Sequence, residues 1–435
     1  MSQLRNGKFI AKGLALAVTA VMVSTAHAGT AEQKQIQQLR QEVEALKSLI
    51  QQQQQVQQQQ QTQIEQVKAQ PVQLAAAPAA KSESALTGFK TKAGASVNLY
   101  GFVRGDANYI IEGADNDFNS VHTSKGEAED KLRATAKMTR LGLDFSTPVE
   151  SGKVGGKVEV DFAGTNDALR IRHAYLTYND WLFGQTTSNF LSSHAPEMID
   201  LATNVGGGTT RVPQVRYNFK LAPTTQLFVS AEKGDSKFTQ LDATTAKPVD
   251  STTKYSVPSL TAKLVQGFAD GKGNASARAL VENYKSADDS AVAWGLAAGA
   301  SYAVTEQLKL NGDVSYSQGN SNYLYGANSA YVLDGNNIEQ NEFTAAQVGA
   351  TYKISPKLRS TLAYGALFAD DGTKYAKSAL TTNANEKVQQ AWMNIIYSPA
   401  APIDLGVEYI NGKRETFAGQ SYKDNRVGLM AKYNF

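Results

Sequence analysis

VNLYGFVRGDANYII, residues 97–111, decides the fold. Val97, Leu99, Val103, Ala107, Tyr109 and Ile111 share one parity, while Asn98, Arg104, Asp106 and Asn108 hold the other. A period of two marks a β-strand with unlike faces. The same alternation returns at Leu141/Leu143/Phe145, Val154/Val158/Val160/Phe162 and Val215/Tyr217/Phe219/Leu221. It returns again at Val292/Trp294/Leu296/Tyr302, at Leu308/Leu310/Val314/Tyr316 and at Val427/Leu429/Ala431/Tyr433/Phe435. A soluble sandwich would turn the apolar face inward; an outer-membrane barrel turns it to lipid and lines a lumen with the polar face.

The connections choose between these two. Short ones are expected at 147–152, 179–180, 222–225, 270–274, 305–306, 355–356 and 398–402. Long ones are expected at 112–131, 190–211, 234–254, 318–340, 368–385 and 411–423, with briefer members at 163–167 and 285–290. Short turns alternating with long loops are the outer-membrane pattern. The reading for residues 97–435 is an all-β transmembrane barrel of sixteen antiparallel strands, with both ends at the periplasmic rim. Tyr109, Tyr217, Tyr302, Tyr364, Trp392, Tyr409 and Tyr433 suit interfacial girdles.

Upstream, the character changes. Residues 1–28 read as a secretory signal: Arg5, Lys8 and Lys12, then the apolar Gly13–Val23, then Ala26-His27-Ala28. That apolar run is well short of the roughly twenty residues a spanning helix needs. Residues 29–70 form an expected periplasmic α-helical coiled coil, with Ile36, Leu39, Val43, Leu46 and Ile50 in steps of 3 and 4 and a Gln-rich centre. Residues 71–96, rich in Ala, Pro, Ser and Gly, read as a flexible linker.

The 43 Lys+Arg and 40 Asp+Glu give +3. Three of those cations fall in the signal segment, so residues 29–435 balance at 40 against 40. A global basic field, the footprint of a nucleic-acid partner, is excluded. The absence of Cys excludes a disulfide scaffold and a Cys nucleophile.

The terminal VGLMAKYNF resembles the assembly signal of outer-membrane barrels, with Tyr433 and Phe435 at alternate positions. LRIRHAYLTYNDWLFGQTTSNF (169–190) is similar to a porin strand-turn-strand block leading into an inward-folded third loop, about 190–211, and VPQVRYNF (212–219) to the strand after it. With the signal, coil and linker, the chain resembles the DcaP-like porins. The resemblance implies an outer-membrane homotrimer, with the coil in the periplasm, and passive uptake of small anions, dicarboxylates especially. Outer-membrane lipid and lipopolysaccharide would surround it, and the coil could reach the cell wall. No cofactor is implied.

Porin selectivity comes from charged rings in a constriction. By parity, Arg104, Arg140, Arg170, Arg172, Arg216, Arg278, Arg359 and Arg426 face the lumen, with Lys157, Lys220, Lys309 and Lys432. Arg211 closes the third loop. Asp106, Asp144, Glu159, Asp161, Glu232, Glu282, Asp313, Asp404 and Glu408 oppose them. Arg170 and Arg172, about 7 Å apart on one strand, form the expected basic ladder with Arg211 and Arg216. Glu197 and Asp200 of the third loop could face this wall and set up a transverse field. The alternative role for each Arg is to brace the wall by pairing with a neighbouring carboxylate.

Other chemistry is thin. HExxH, GxSxG and P-loop motifs are absent, which excludes those enzyme classes. His194, Glu197 and Asp200 could meet only if helical, and no metal site is assigned to them. Asp115-x-Asp117-x-Asn119 resembles a calcium-loop start but has Ser120 where the turn glycine belongs. The Gly206–Gly208 run suits a flexible folded-in loop. His173 takes the lipid-facing parity and Tyr178 the lumen parity. A sugar channel would want a ladder of inward aromatics, of which parity finds only Tyr178 and Trp392. A general porin without anion preference and an envelope tether or adhesin working through the coil remain the other readings.

Overall fold

The computed structural model describes residues 89–90, 94–200, 204–286 and 289–435. The expected signal, coiled coil and most of the linker lie outside the described residues. Within the expected linker, Phe89–Lys90 forms a short strand against Ser96 and Val97.

Sixteen barrel strands follow in chain order. They are β1 (Ser96–Gly113), β2 (Ala128–Thr135, resuming as Arg140–Val149), β3 (Gly152–Asp161), β4 (Arg170–Tyr178), β5 (Trp181–Thr187) and β6 (Arg211–Ala222). Next come β7 (Thr225–Glu232), β8 (Ser259–Phe268), β9 (Gly273–Ser286), β10 (Asp289–Ala303) and β11 (Leu308–Gln318). The last are β12 (Glu342–Ser355), β13 (Leu358–Ala369), β14 (Asn385–Tyr397), β15 (Ile403–Thr416) and β16 (Ser421–Asn434). Each pairs antiparallel with the next, and β16 closes on β1 through Val103↔Tyr433 and Tyr109↔Val427. Closure satisfies the backbone ladder without an edge, the condition for spanning lipid with strands. Phe435 ends on this seam: its N–H donates to the Gly101 carbonyl, and the Gly101 N–H donates back, both at 3.1 Å.

The apolar parity faces outward as expected: Val103, Leu132, Leu362 and Val348 are each more than half exposed. Trp181, Phe183, Tyr217 and Phe219 form a ring cluster on the outer face of β5 and β6. Polar and charged side chains fill the interior, where Arg104, Glu159, Asp161, Arg278, Glu282 and Arg426 are buried.

Two connections differ from the sequence reading. The long loop expected at 411–423 is strand: β15 and β16 stay in register from Asn411↔Asn425 to Glu415↔Ser421, leaving only residues 417–420 as the turn. Here the inner face, with Arg414, Thr416 and Asp424, is buried against polar loop segments such as Ser120 and His122, so the strand's polar composition imitates a loop. The second difference lies between β3 and β4. Val160 pairs with Ile171 and Glu159 with His173, so Arg172 is an extra residue, a β-bulge. Beyond it the parity inverts. His173 therefore turns inward, with its Nε2 3.8 Å from Glu159, and Tyr178 turns outward, sharing a hydrogen bond with Ser151. Both parity assignments made from sequence are reversed by this one bulge.

The long loops fold over one rim. Lys237–Leu241 and Pro248–Thr252 form a hairpin that joins Tyr331–Asp334 in parallel at Thr239↔Val332, and Asn337–Gln340 completes a four-stranded sheet. Phe238 and Tyr284 stack on Tyr331, both with ring centroids 4.9 Å away.

Candidate functional site

Between β5 and β6, residues 188–200 and 204–210 turn into the barrel and are fastened to the wall at many points. The Asn189 amide donates to Glu232 at 3.0 Å. Ser192 donates to Asp313 at 2.6 Å. His194 is buried between the hydroxyls of Ser276 and Ser301, and its carbonyl accepts from Asn311. Glu197 is gripped by Arg359 through three contacts of 2.8–3.0 Å, while its carbonyl accepts from Trp392 and Asn394. The amides of Ile199 and Asp200 both donate to Glu408 at 2.8 Å. His194, Glu197 and Asp200 thus reach three different parts of the interior: the loop is extended, not helical, and they do not meet.

The return leg is packed tightly. Gly206 has φ +82°, and a Cβ there would strike the Ala346 carbonyl; one at Gly208 would strike that of Tyr323. The glycines permit close backbone approach. The expectation that this run supplies flexibility is corrected: it supplies fit.

The loop is fastened to β1 through Arg104, to β6 through Arg216 and to strands between β7 and β15 by the bonds above, while the wall of β2–β4 carries a separate charged group. On that wall Arg170 bonds Asp161 in a two-point grip at 2.9 and 2.7 Å. Arg172 reaches both Glu159 and Asp161 at 2.8 Å. Arg140 stands 3.4 Å from Glu159 without a hydrogen bond at its Nε. Arg211, whose side chain enters the same group, donates from Nη1 to the Thr209 carbonyl at 2.9 Å and leaves Nε without a partner. Three guanidinium groups therefore share two carboxylates, and with Arg211 within electrostatic reach the local excess is two positive charges. Arg211 also lines a cavity of about 450 Å³ against the loop, with Arg104, Glu197, Arg359 and Lys432 on its walls.

The remaining arginines divide. Arg104 pairs with Asp106 at 2.6 Å and donates to the Ile199 carbonyl. Arg278 pairs with Asp313 at 2.6 Å, and Arg426 with Asp424 at 2.7 Å. These three are buried and brace the wall or the loop, as does Arg359. Arg216 is separate from the β2–β4 group: it donates to Asn189 and lies over the Phe228 ring. Asp200 is buried and accepts from the Asn119 amide. Asp115 and Asp117 are spent in ion pairs with Lys131, Arg133 and Lys137.

Sequence parity missed inward rings on three strands: Tyr100 and Phe102 on β1, Phe228 on β7, and Tyr175 beyond the bulge on β4. It also missed Lys263, although Leu260, Ala262 and Leu264 alternate around it.

A closed sixteen-stranded barrel with a loop fastened inside and a charged lumen is an outer-membrane channel of the porin class. The chain belongs to the DcaP outer membrane protein family, which matches residues 27–435. It is 68% identical to the outer membrane channel DcaP of Acinetobacter baumannii, over 80% of this chain and 100% of that one, with a TM-score of 0.76. It also shares its fold with an anion-selective porin from Comamonas acidovorans (12% identity, 78% of this chain and all of that one, TM-score 0.53). A third similar structure is OmpF of Salmonella typhi in complex with daunomycin (14% identity, 78% and 98% covered, TM-score 0.51). The comparison with curated proteins gave no match. The family is one of outer-membrane channels and is not enzymatic.

Proposed function

We propose that this channel passes small anions, dicarboxylates among them, and works as a homotrimer. The observation that carries the selectivity is the excess at Arg140, Arg170, Arg172 and Arg211 over Glu159 and Asp161. Arg170 and Arg172 are held by the carboxylates. Arg140 and Arg211 retain donors for a solute, and a guanidinium offers planar, permanently charged hydrogen bonds to a carboxylate. Two such groups provide the separate contacts that a dicarboxylate needs. Apolar walls focus their field into the lumen. The Comamonas acidovorans porin, which shares the fold, is itself described as anion-selective.

The sugar alternative requires open ring faces. Cations cover the inward rings of β1 and β7: Lys157 over Tyr100, Arg140 and Lys432 over Phe102, and Arg216 over Phe228. Stacking surface for a sugar is thereby taken up.

The test is the reversal potential of purified channels across a KCl gradient. Arg140→Gln with Arg211→Gln removes the local excess. It should lower the anion-to-cation permeability ratio about tenfold, equivalent to about 1.4 kcal/mol. A wild-type channel without anion preference, or a double variant with unchanged preference, contradicts the proposal.

A further inference from the structure

We infer a second anion-binding station, built from Arg216, Lys263 and Lys309, between the first leg of the inward loop and the turn rim. It rests on the anion-channel reading and extends it from one station to two.

The three cations come from β6, β8 and β11. Lys263 faces the lumen, and its Nζ donates to the Leu191 carbonyl at 3.3 Å, leaving further donors. Arg216 donates to the Asn189 side chain at 3.1 Å. Lys309 is the second residue of β11 from its turn end, two before the Asn311 that holds His194, and is exposed. None of the three has a carboxylate within ion-pair distance among the described residues. The nearby acid Asp313 is taken up by Arg278 at 2.6 Å and Ser192 at 2.6 Å, and Glu232 by the Asn189 amide and Thr261.

Lys263 lies within electrostatic reach of Arg278, Arg216 and Asp313, and His194 within reach of Asp313, Arg278, Lys263 and Lys309, so four cations there face one carboxylate that Arg278 already holds. Like charges gathered on a half-buried wall repel one another and lose hydration. Elsewhere in this barrel, nearly every inward cation has a carboxylate: Arg104, Arg170, Arg172, Arg278, Arg359 and Arg426 all do. The departure at Arg216, Lys263 and Lys309 is what a mobile anion would relieve. A multiply charged carboxylate is the class that fits three separated donors. Placed after the Arg140/Arg211 group, such a station would take a solute leaving the constriction. Conduction through successive weak sites requires each site to bind and release.

The experiment uses the whole channel in a planar bilayer with citrate as the probe, added from the turn side in KCl. Citrate should block the current of the wild type. Lys263→Gln with Lys309→Gln should weaken turn-side block about fivefold or more. The Arg140→Gln/Arg211→Gln channel should keep turn-side block and lose the KCl selectivity. Turn-side block that is absent in the wild type, or unchanged in the lysine double variant, overturns the second station. The KCl reversal potential of the wild type reports the anion reading separately, so failure of one is distinguishable from failure of the other. The heat-dependent gel mobility of each variant checks that its barrel has folded.

Discussion

His122 shows how a single side chain couples burial to pH. It sits in the first long loop, with its Nδ1 2.7 Å from the Tyr325 hydroxyl and the two rings edge to face at 4.4 Å. Its carbonyl accepts from Arg414 and Asn385, which ties this loop to β14 and β15. Burial, and then the Arg414 charge, push its pKa down to about 4. An opened loop restores the ordinary value near 6.5 and binds the proton more readily. Acid therefore favours opening, and the closed loop loses stability as pH falls from about 6.5 towards 4. At pH 5 the loss is on the order of 2 kcal/mol. Amide exchange across residues 114–127 should accelerate between pH 7 and pH 5, after correction for intrinsic rates. His122→Gln should remove that dependence; if the variant keeps it, another group is responsible. This residue gave no signal in the sequence, because its partners Tyr325, Asn385 and Arg414 lie far along the chain.

At the level of elements, the strands were legible and their irregularities were not. Alternation of Leu141/Leu143 or Val427/Leu429 is local and needs no partner to be seen. The bulge at Arg172 carries no glycine or proline, and its visible correlate is non-local: Arg172 bonds both Glu159 and Asp161 on β3. The inversion of His173 and Tyr178 followed from that one bulge. The inward loop was similarly half legible: its position after the RIRHAYL block was expected, but its fastenings were not. Glu408 is the clearest of these, since one carboxylate holds two successive amides, Ile199 and Asp200, and also accepts from Asn394 at 3.0 Å. Glu408→Ala strands those buried donors, at about 1–3 kcal/mol for each unsatisfied group. The barrel has many other ladder contacts and should still fold, while the loop loosens from β15. Single-channel records should show greater open-state noise and more frequent sublevels. Quiet records at wild-type conductance would mean that Arg359 on Glu197 suffices to hold the loop.

For the whole molecule, the formal charge of +3 is the wrong quantity to consult. Residues 29–435 are balanced, and the balance conceals a sorting in which hydrocarbon-facing positions carry Val, Leu and aromatic side chains and the charges collect inside and in the loops. On the proposed reading, selectivity depends on a local mismatch: four guanidinium groups to two carboxylates around β2–β4 and Arg211. The closed sheet bears on the N-terminal segments too. β1 pairs on one side with β2 and on the other with β16, so among the described residues the barrel ladder closes on itself from Ser96 to Asn434. Selectivity and barrel stability should therefore be independent of the Gln-rich segment. Deleting residues 30–82 while keeping the export signal should leave the heat-modifiable band, the unit conductance and the KCl reversal potential unchanged. If the segment serves assembly, as the heptads at Ile36–Ile50 suggest, the deletion should alter only the grouping of events. Three equal closing steps per inserted channel in the full chain would give way to independently inserting single steps. Three-step closure surviving the deletion would assign trimer contacts to the outer face of the barrel instead, and loss of the folded band would contradict the autonomy that the closed ladder implies.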